Sequence, residues 1–179
     1  MSSNLERFEA VWMWHRVAVR ALDVFEHSAV EHPQQHIEAL QTESPASVLA
    51  GIQTCREEME NFALLSLWAL FEEAINDWLI QRVRWVGAAV PALDNGIRQA
   101  LQRRIQHWTI GEKIDALKTV VGDDTTRELH KVRKWRDWVA HRKAGARPAA
   151  CDFEMAQSLF TAVLAELERC PLESVLAID

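Results

Sequence analysis

Phe62-Ala63-Leu64-Leu65-Ser66-Leu67-Trp68-Ala69-Leu70-Phe71, followed at once by Glu72-Glu73, is the densest apolar run in the chain. It is far shorter than the roughly 20 apolar residues that a bilayer-spanning helix needs. It lies inside a longer stretch, Ile52 to Val86, that contains neither glycine nor proline. Within that stretch Ile52, Cys55, Met59, Phe62, Leu65, Trp68, Ile75 and Trp78 recur at helical spacing, and Ala63, Leu64, Leu67 and Leu70 occupy other sides. A helix that is apolar on most sides has to be surrounded by others. The stretch therefore predicts a long central helix, and the remaining chain must supply its coat.

The punctuation outside this helix predicts more helices and no strands. Ser3-x-x-Glu6 has the form of a capping box and opens a segment with Leu5, Phe8, Trp12, Val19 and Leu22 on one face. Pro33 and Ser44-Pro45 bracket a connecting piece, and Gly87 to Gly96 breaks the pattern again. A shorter helix then runs to about Trp108. Thr109-x-x-Glu112 caps the next, and Thr125-x-x-Glu128, after Gly122, caps the one that follows. Ala144 to Pro148 ends that helix, and Asp152 caps a last one striped with Phe153, Ala156, Phe160, Val163, Leu167 and Cys170. The expectation is all-α: one domain over residues 1–179, an up-and-down helical bundle with long central helices.

Composition bounds the function. At 179 residues the chain can bury one sizeable core. Its net charge of −6 does not draw the whole molecule to a polyanion, so any nucleic-acid contact has to use a local basic patch. Cys55, Cys151 and Cys170 are odd in number and unspaced, which suggests neither a disulfide framework nor a zinc site. Met1 to Glu6 lacks the basic start and apolar core of a secretion signal. A cytoplasmic protein with no membrane association is expected.

The segment with chemistry is Lys134-Trp135-Arg136-Asp137-Trp138-Val139-Ala140-His141-Arg142-Lys143. On a helical wheel Leu129, Val132, Trp135 and Val139 form an apolar stripe, with Arg136 at its edge. Arg133, Asp137 and His141 continue around the same flank, and Asp137 and His141 stand i, i+4, within reach of one another. Cations gather around them: Arg127, Lys131, Arg133, Lys134, Arg136, Arg142, Lys143 and Arg147, opposed between those limits by Glu128 and Asp137. Trp135 and Trp138 could stack on bases. Arg20 and His27 form a second arginine–histidine pair, but alanine follows the arginine and no cations surround it.

Arg136-Asp137-Trp138-Val139-Ala140-His141 resembles the Arg-polar-x-x-x-His motif of the HEPN superfamily, in the helix before the last of a helical domain. Leu67-Trp68-Ala69-Leu70-Phe71-Glu72 is similar to the Phe-Glu-containing helix of toxin-type HEPN proteins. Asp152-Phe153-Glu154-Met155-Ala156-Gln157 is similar to their final helix. The resemblance implies a HEPN-like fold and a metal-independent endoribonuclease, of the kind that serves as the toxin of a toxin–antitoxin or defence pair. It implies a homodimer in which two motifs face each other, without cofactor, restrained by an antitoxin protein or nucleotidyltransferase. Arg136 would bind the scissile phosphate, His141 would transfer protons, and Asp137 would orient His141 or its neighbour. Arg133, Lys134, Arg142 and Lys143 would hold the RNA, with Glu72 in support.

Two other readings stand beside this one. The first is a non-catalytic helical module that binds RNA, a nucleotide or a partner protein. The second is a structural subunit in which Arg136 and His141 close an ion-pair network with Asp137 and Glu72. His32-x-x-x-His36 has metal-ligand spacing, but Pro33 separates the two faces, and solvated loop histidines are the expectation. Glu72 and Glu73, with Asn76 and Asp77, form a polar side of the central helix, where either acid is a candidate partner for Arg136 or simply meets solvent, and Arg103, Arg104 and His107 read as surface.

Overall fold

The core is a layer of aromatic and aliphatic side chains wrapped around the second half of one 45-residue helix. In the computed structural model the described residues are 2–31, 43–89, 95–141, 148 and 151–170, with side chains described from Glu6 and not for 86–89. They form α1 (Ser2–Glu31), α2 (Pro45–Ala89), α3 (Asn95–His107), α4 (Ile110–Ala116), α5 (Lys118–Val121), α6 (Asp123–His141) and α7 (Phe153–Arg169). The fold is all-α, with no strand among the described residues.

The central helix is longer than its glycine-free stretch. Ser44 begins it by accepting from the Ser47 amide at 3.1 Å, and Pro45 takes the first helical position, where its missing N–H costs nothing. Gly51 and Gly87 are absorbed into the helix instead of ending it. Gly51 is exposed with open space around it, so it weakens the helix locally without steric need. α1 packs along α2 through Phe8, Val11 and Trp12 in the main core, and through Leu22, Phe25 and Ala29 in a smaller cluster with Val48 and Ile52.

α7 packs on both α1 and α2, and its Phe160 is a hub. That ring stacks on Phe71 at 4.3 Å and meets Trp68 and Phe8 edge-on at 5.8 and 6.3 Å. Asp152 caps the helix by accepting from the Met155 amide at 2.7 Å. Its last carbonyls are covered from α2: Trp78 Nε1 donates to Leu167 O at 3.1 Å and Arg82 donates to Cys170 O at 2.6 Å.

Two cap assignments came out differently. Thr109 and Glu112 form the expected capping box at α4, and the Thr109 hydroxyl and then its amide hold the Glu112 carboxyl below its usual range. Thr125 does not cap α6. That helix begins two residues earlier, directly after Gly122, whose φ of +82° favours glycine. The Ser3–Glu6 box, Pro33, His32 and His36, and the Ala144–Arg147 stop lie outside the residues whose side chains are described. Cys55, Cys151 and Cys170 are free thiols. No helix among the described residues is long and apolar enough to cross a membrane.

Candidate functional site

α6 is amphipathic, with Thr126, Leu129, Val132 and Trp135 buried against the core. It runs antiparallel to α2: Arg136 stands near Glu72, while Trp138 to Ala140 share a hollow with Leu65 to Glu58. This direction brings Arg136 onto the face of Trp68, its guanidinium carbon 5.8 Å from the ring centroid. The same guanidinium donates to Asp137 Oδ1 at 3.0 Å and approaches Glu72 Oε2 at 4.0 Å. The Arg136 side chain is 29% exposed. It is therefore fixed from three sides and still open to solvent.

The structure brings together Arg136, Asp137 and Glu72. Glu73, the neighbouring candidate, turns the other way and pairs with Arg7 at 2.9 Å. His141 stands apart, exposed in the last residue of α6, with no hydrogen bond or ion pair among the described residues. Asp137 gives its carboxylate to Arg136, one residue away. Helix geometry explains the separation, because five residues advance about 7.5 Å and turn by about 140°. Arg136 and His141 of one copy thus point in different directions.

The cationic surroundings are less open than the sequence implies. Arg127 pairs with Asp124 at 2.9 Å and Lys131 with Glu128 at 2.6 Å, each an i−3 acid on the same helix. Arg133 folds inward over α4, where a Cβ at Gly111 would stand 2.1 Å from its Nη1. Its Nε is buried without a hydrogen-bond partner, so Arg133 packs the α4–α6 contact. Lys134 is exposed and unpaired among the described residues. Arg142, Lys143 and Arg147 lie outside them. Trp135 is fully buried and cannot stack on a ligand; Trp138 is half-buried. The other pair, Arg20 and His27, is occupied by Asp23 at 3.9 Å and Glu31 at 3.0 Å.

One feature escaped the motif reading. Glu58, Asn61, Phe62 and Leu65 on α2 and Trp138 to Ala140 on α6 line a hollow of about 390 Å³. The four α2 residues are spaced i, i+3, i+4, i+7, which is one helix face. In the sequence Phe62 and Leu65 have the spacing of core positions, and apolar spacing does not say where the coat of a helix ends. Among the described residues no group of three or more His, Cys, Asp or Glu side chains could hold a metal ion.

No family model matches the chain, no curated protein matches its sequence, and no solved structure matches its fold.

Proposed function

We propose that the protein is a metal-independent endoribonuclease of HEPN type, a single HEPN-like domain acting as a homodimer. One observation carries the reading: Arg136 is held by Trp68, Asp137 and Glu72, yet remains partly open, five residues before an exposed and uncommitted His141. A fixed guanidinium is suited to binding a phosphodiester and stabilising the charge that grows on its oxygens. An imidazole without internal partners is suited to proton transfer. The 2′-oxygen of RNA attacks phosphorus and gives up its proton, and the bond to the 5′-oxygen breaks. The 5′-hydroxyl leaves with a proton, and a 2′,3′-cyclic phosphate remains.

The divergence of Arg136 and His141 supports the dimer. Two copies set motif to motif let the His141 of one reach the phosphate held by the Arg136 of the other. RNA is the substrate class, since DNA lacks the nucleophile. A protein or nucleotidyl-transfer antagonist belongs to the same proposal. The test is RNA cleavage in excess EDTA by wild type, Arg136→Ala and His141→Ala. Cleavage should persist without metal and fall by about a hundredfold or more in each variant, with the dimer retained. Full activity in His141→Ala rejects the site.

A second reading, a non-catalytic module, has its own observation: Arg136 already faces two carboxylates, and Asp137 is spent on Arg136. Tight, salt-sensitive RNA binding without cleavage would select it.

A further inference from the structure

We propose that the hollow between α2 and α6 is a nucleobase subsite selective for guanine, placed beside the Arg136–His141 segment. The proposal rests on RNA being the ligand of that segment. The hollow adjoins it through Trp138, two residues from Arg136 and three from His141. Its walls are of two kinds. Phe62, 56% exposed despite its size, and the half-buried Trp138 line it from the two helices. Glu58 and Asn61 sit one turn apart on α2, and neither makes a hydrogen bond or ion pair among the described residues.

Exposed phenylalanine is costly in water and gains from covering, and every base has a π-face that can cover it. Stacking alone does not choose between bases. Glu58 does: an ionised carboxylate is an acceptor with two oxygens. Guanine alone offers two adjacent N–H donors, N1–H and the 2-amino group, on its pairing edge. The Asn61 amide can donate to O6 next to them. Adenine and cytosine present one amino donor beside a ring acceptor, which would face the carboxylate unpaired. Uracil presents a single N–H between two carbonyls.

The probe is a pair of 2′-O-methylated pentanucleotides, UUGUU and UUAUU, titrated against the full chain by tryptophan fluorescence. Methylation removes the nucleophile, so binding is read without cleavage. Wild type should bind the guanine oligomer about tenfold more tightly or better, the discrimination typical of one bidentate contact. Glu58→Gln places an amide donor against guanine's own donors and should bring the two within about twofold. Glu58 is exposed, so the helix content seen by circular dichroism should not change. Equal affinity of wild type for the two oligomers, no binding of either, or a preference that survives Glu58→Gln overturns the subsite. The two proposals fail separately. Guanine selectivity without cleavage of unmodified RNA removes the nuclease and leaves the subsite. Cleavage without base preference removes the subsite alone.

Discussion

The two halves of α2 differ in sequence and in surroundings: Pro45 to Phe62 is the less apolar half, and Ala63 to Arg82 the denser one. Between Ala63 and Arg82, Ala63, Leu64, Leu67, Trp68, Leu70, Phe71, Ala74, Ile75, Trp78, Leu79 and Arg82 are all buried. Between Pro45 and Phe62, only Val48 and Ile52 are. The second half shares its cluster with residues of α1, α3, α4, α6 and α7, whereas the cluster of the first half is shared with α1 alone. The denser apolar half is the one its neighbours cover, as an all-round apolar helix requires. The hollow beside the candidate site falls at the boundary, where Trp138 to Ala140 of α6 lie alongside Glu58 to Leu65.

Truncation in the packed half should have the largest effect. Leu67→Ala, at a position with no exposure, is expected to cost about 4 kcal/mol, near the upper range for leucine in a close-packed core. Ile52→Ala is expected to cost about 2 kcal/mol, because the hollow lined by Leu22, Phe25, Val48 and Cys55 lets the site relax. Urea unfolding of both variants measures the difference. Equal costs would mean that the first half is packed as firmly as the second, and the contrast would be lost.

That contrast also shows why some features were legible in the sequence and others were not. The long helix, the Thr109–Glu112 box, the Asp152 cap and the α7 stripe follow from local rules, and the structure has all of them. The start of α6 does not, because Thr126 turns its hydroxyl back to Gly122 O at 2.8 Å and the glycine itself opens the helix. The wheel puts Arg136 at the edge of its stripe but leaves its partner open between Glu72 and Glu73, and the structure has Glu72. It could not anticipate Arg133, whose direction is set by the absence of a side chain at Gly111 on another helix. The pairing of Arg127 and Lys131 with acids three residues before them could have been read from spacing, and it would have trimmed the basic patch in advance.

The smallest expected effect probes the boundary from the α1 side. His15 is buried at 7% exposure, its ring 4.0 Å from that of Phe153, and neither ring nitrogen has a hydrogen-bond partner. Burial holds its pKa below the ordinary 6.5, outweighing Glu60, at the junction of the two halves of α2, and Glu154, which pull the other way. The sign follows from proton counting. Above pH 6.5 both folded and unfolded chains carry a neutral His15, and the group adds no pH dependence. As pH falls below that value the unfolded chain takes up the proton first, so stability declines until the folded-state pKa is passed. His15→Phe removes the titration and fills much of the same space, so it should shift stability at pH 7.5 by no more than about 1 kcal/mol. Below pH 6.5 it should be progressively more stable than wild type, as the difference in thermal midpoint between the two proteins will record. An unchanged difference from pH 7.5 to 5 would mean that His15 meets water, and that the packed region stops one turn short of where its burial places it.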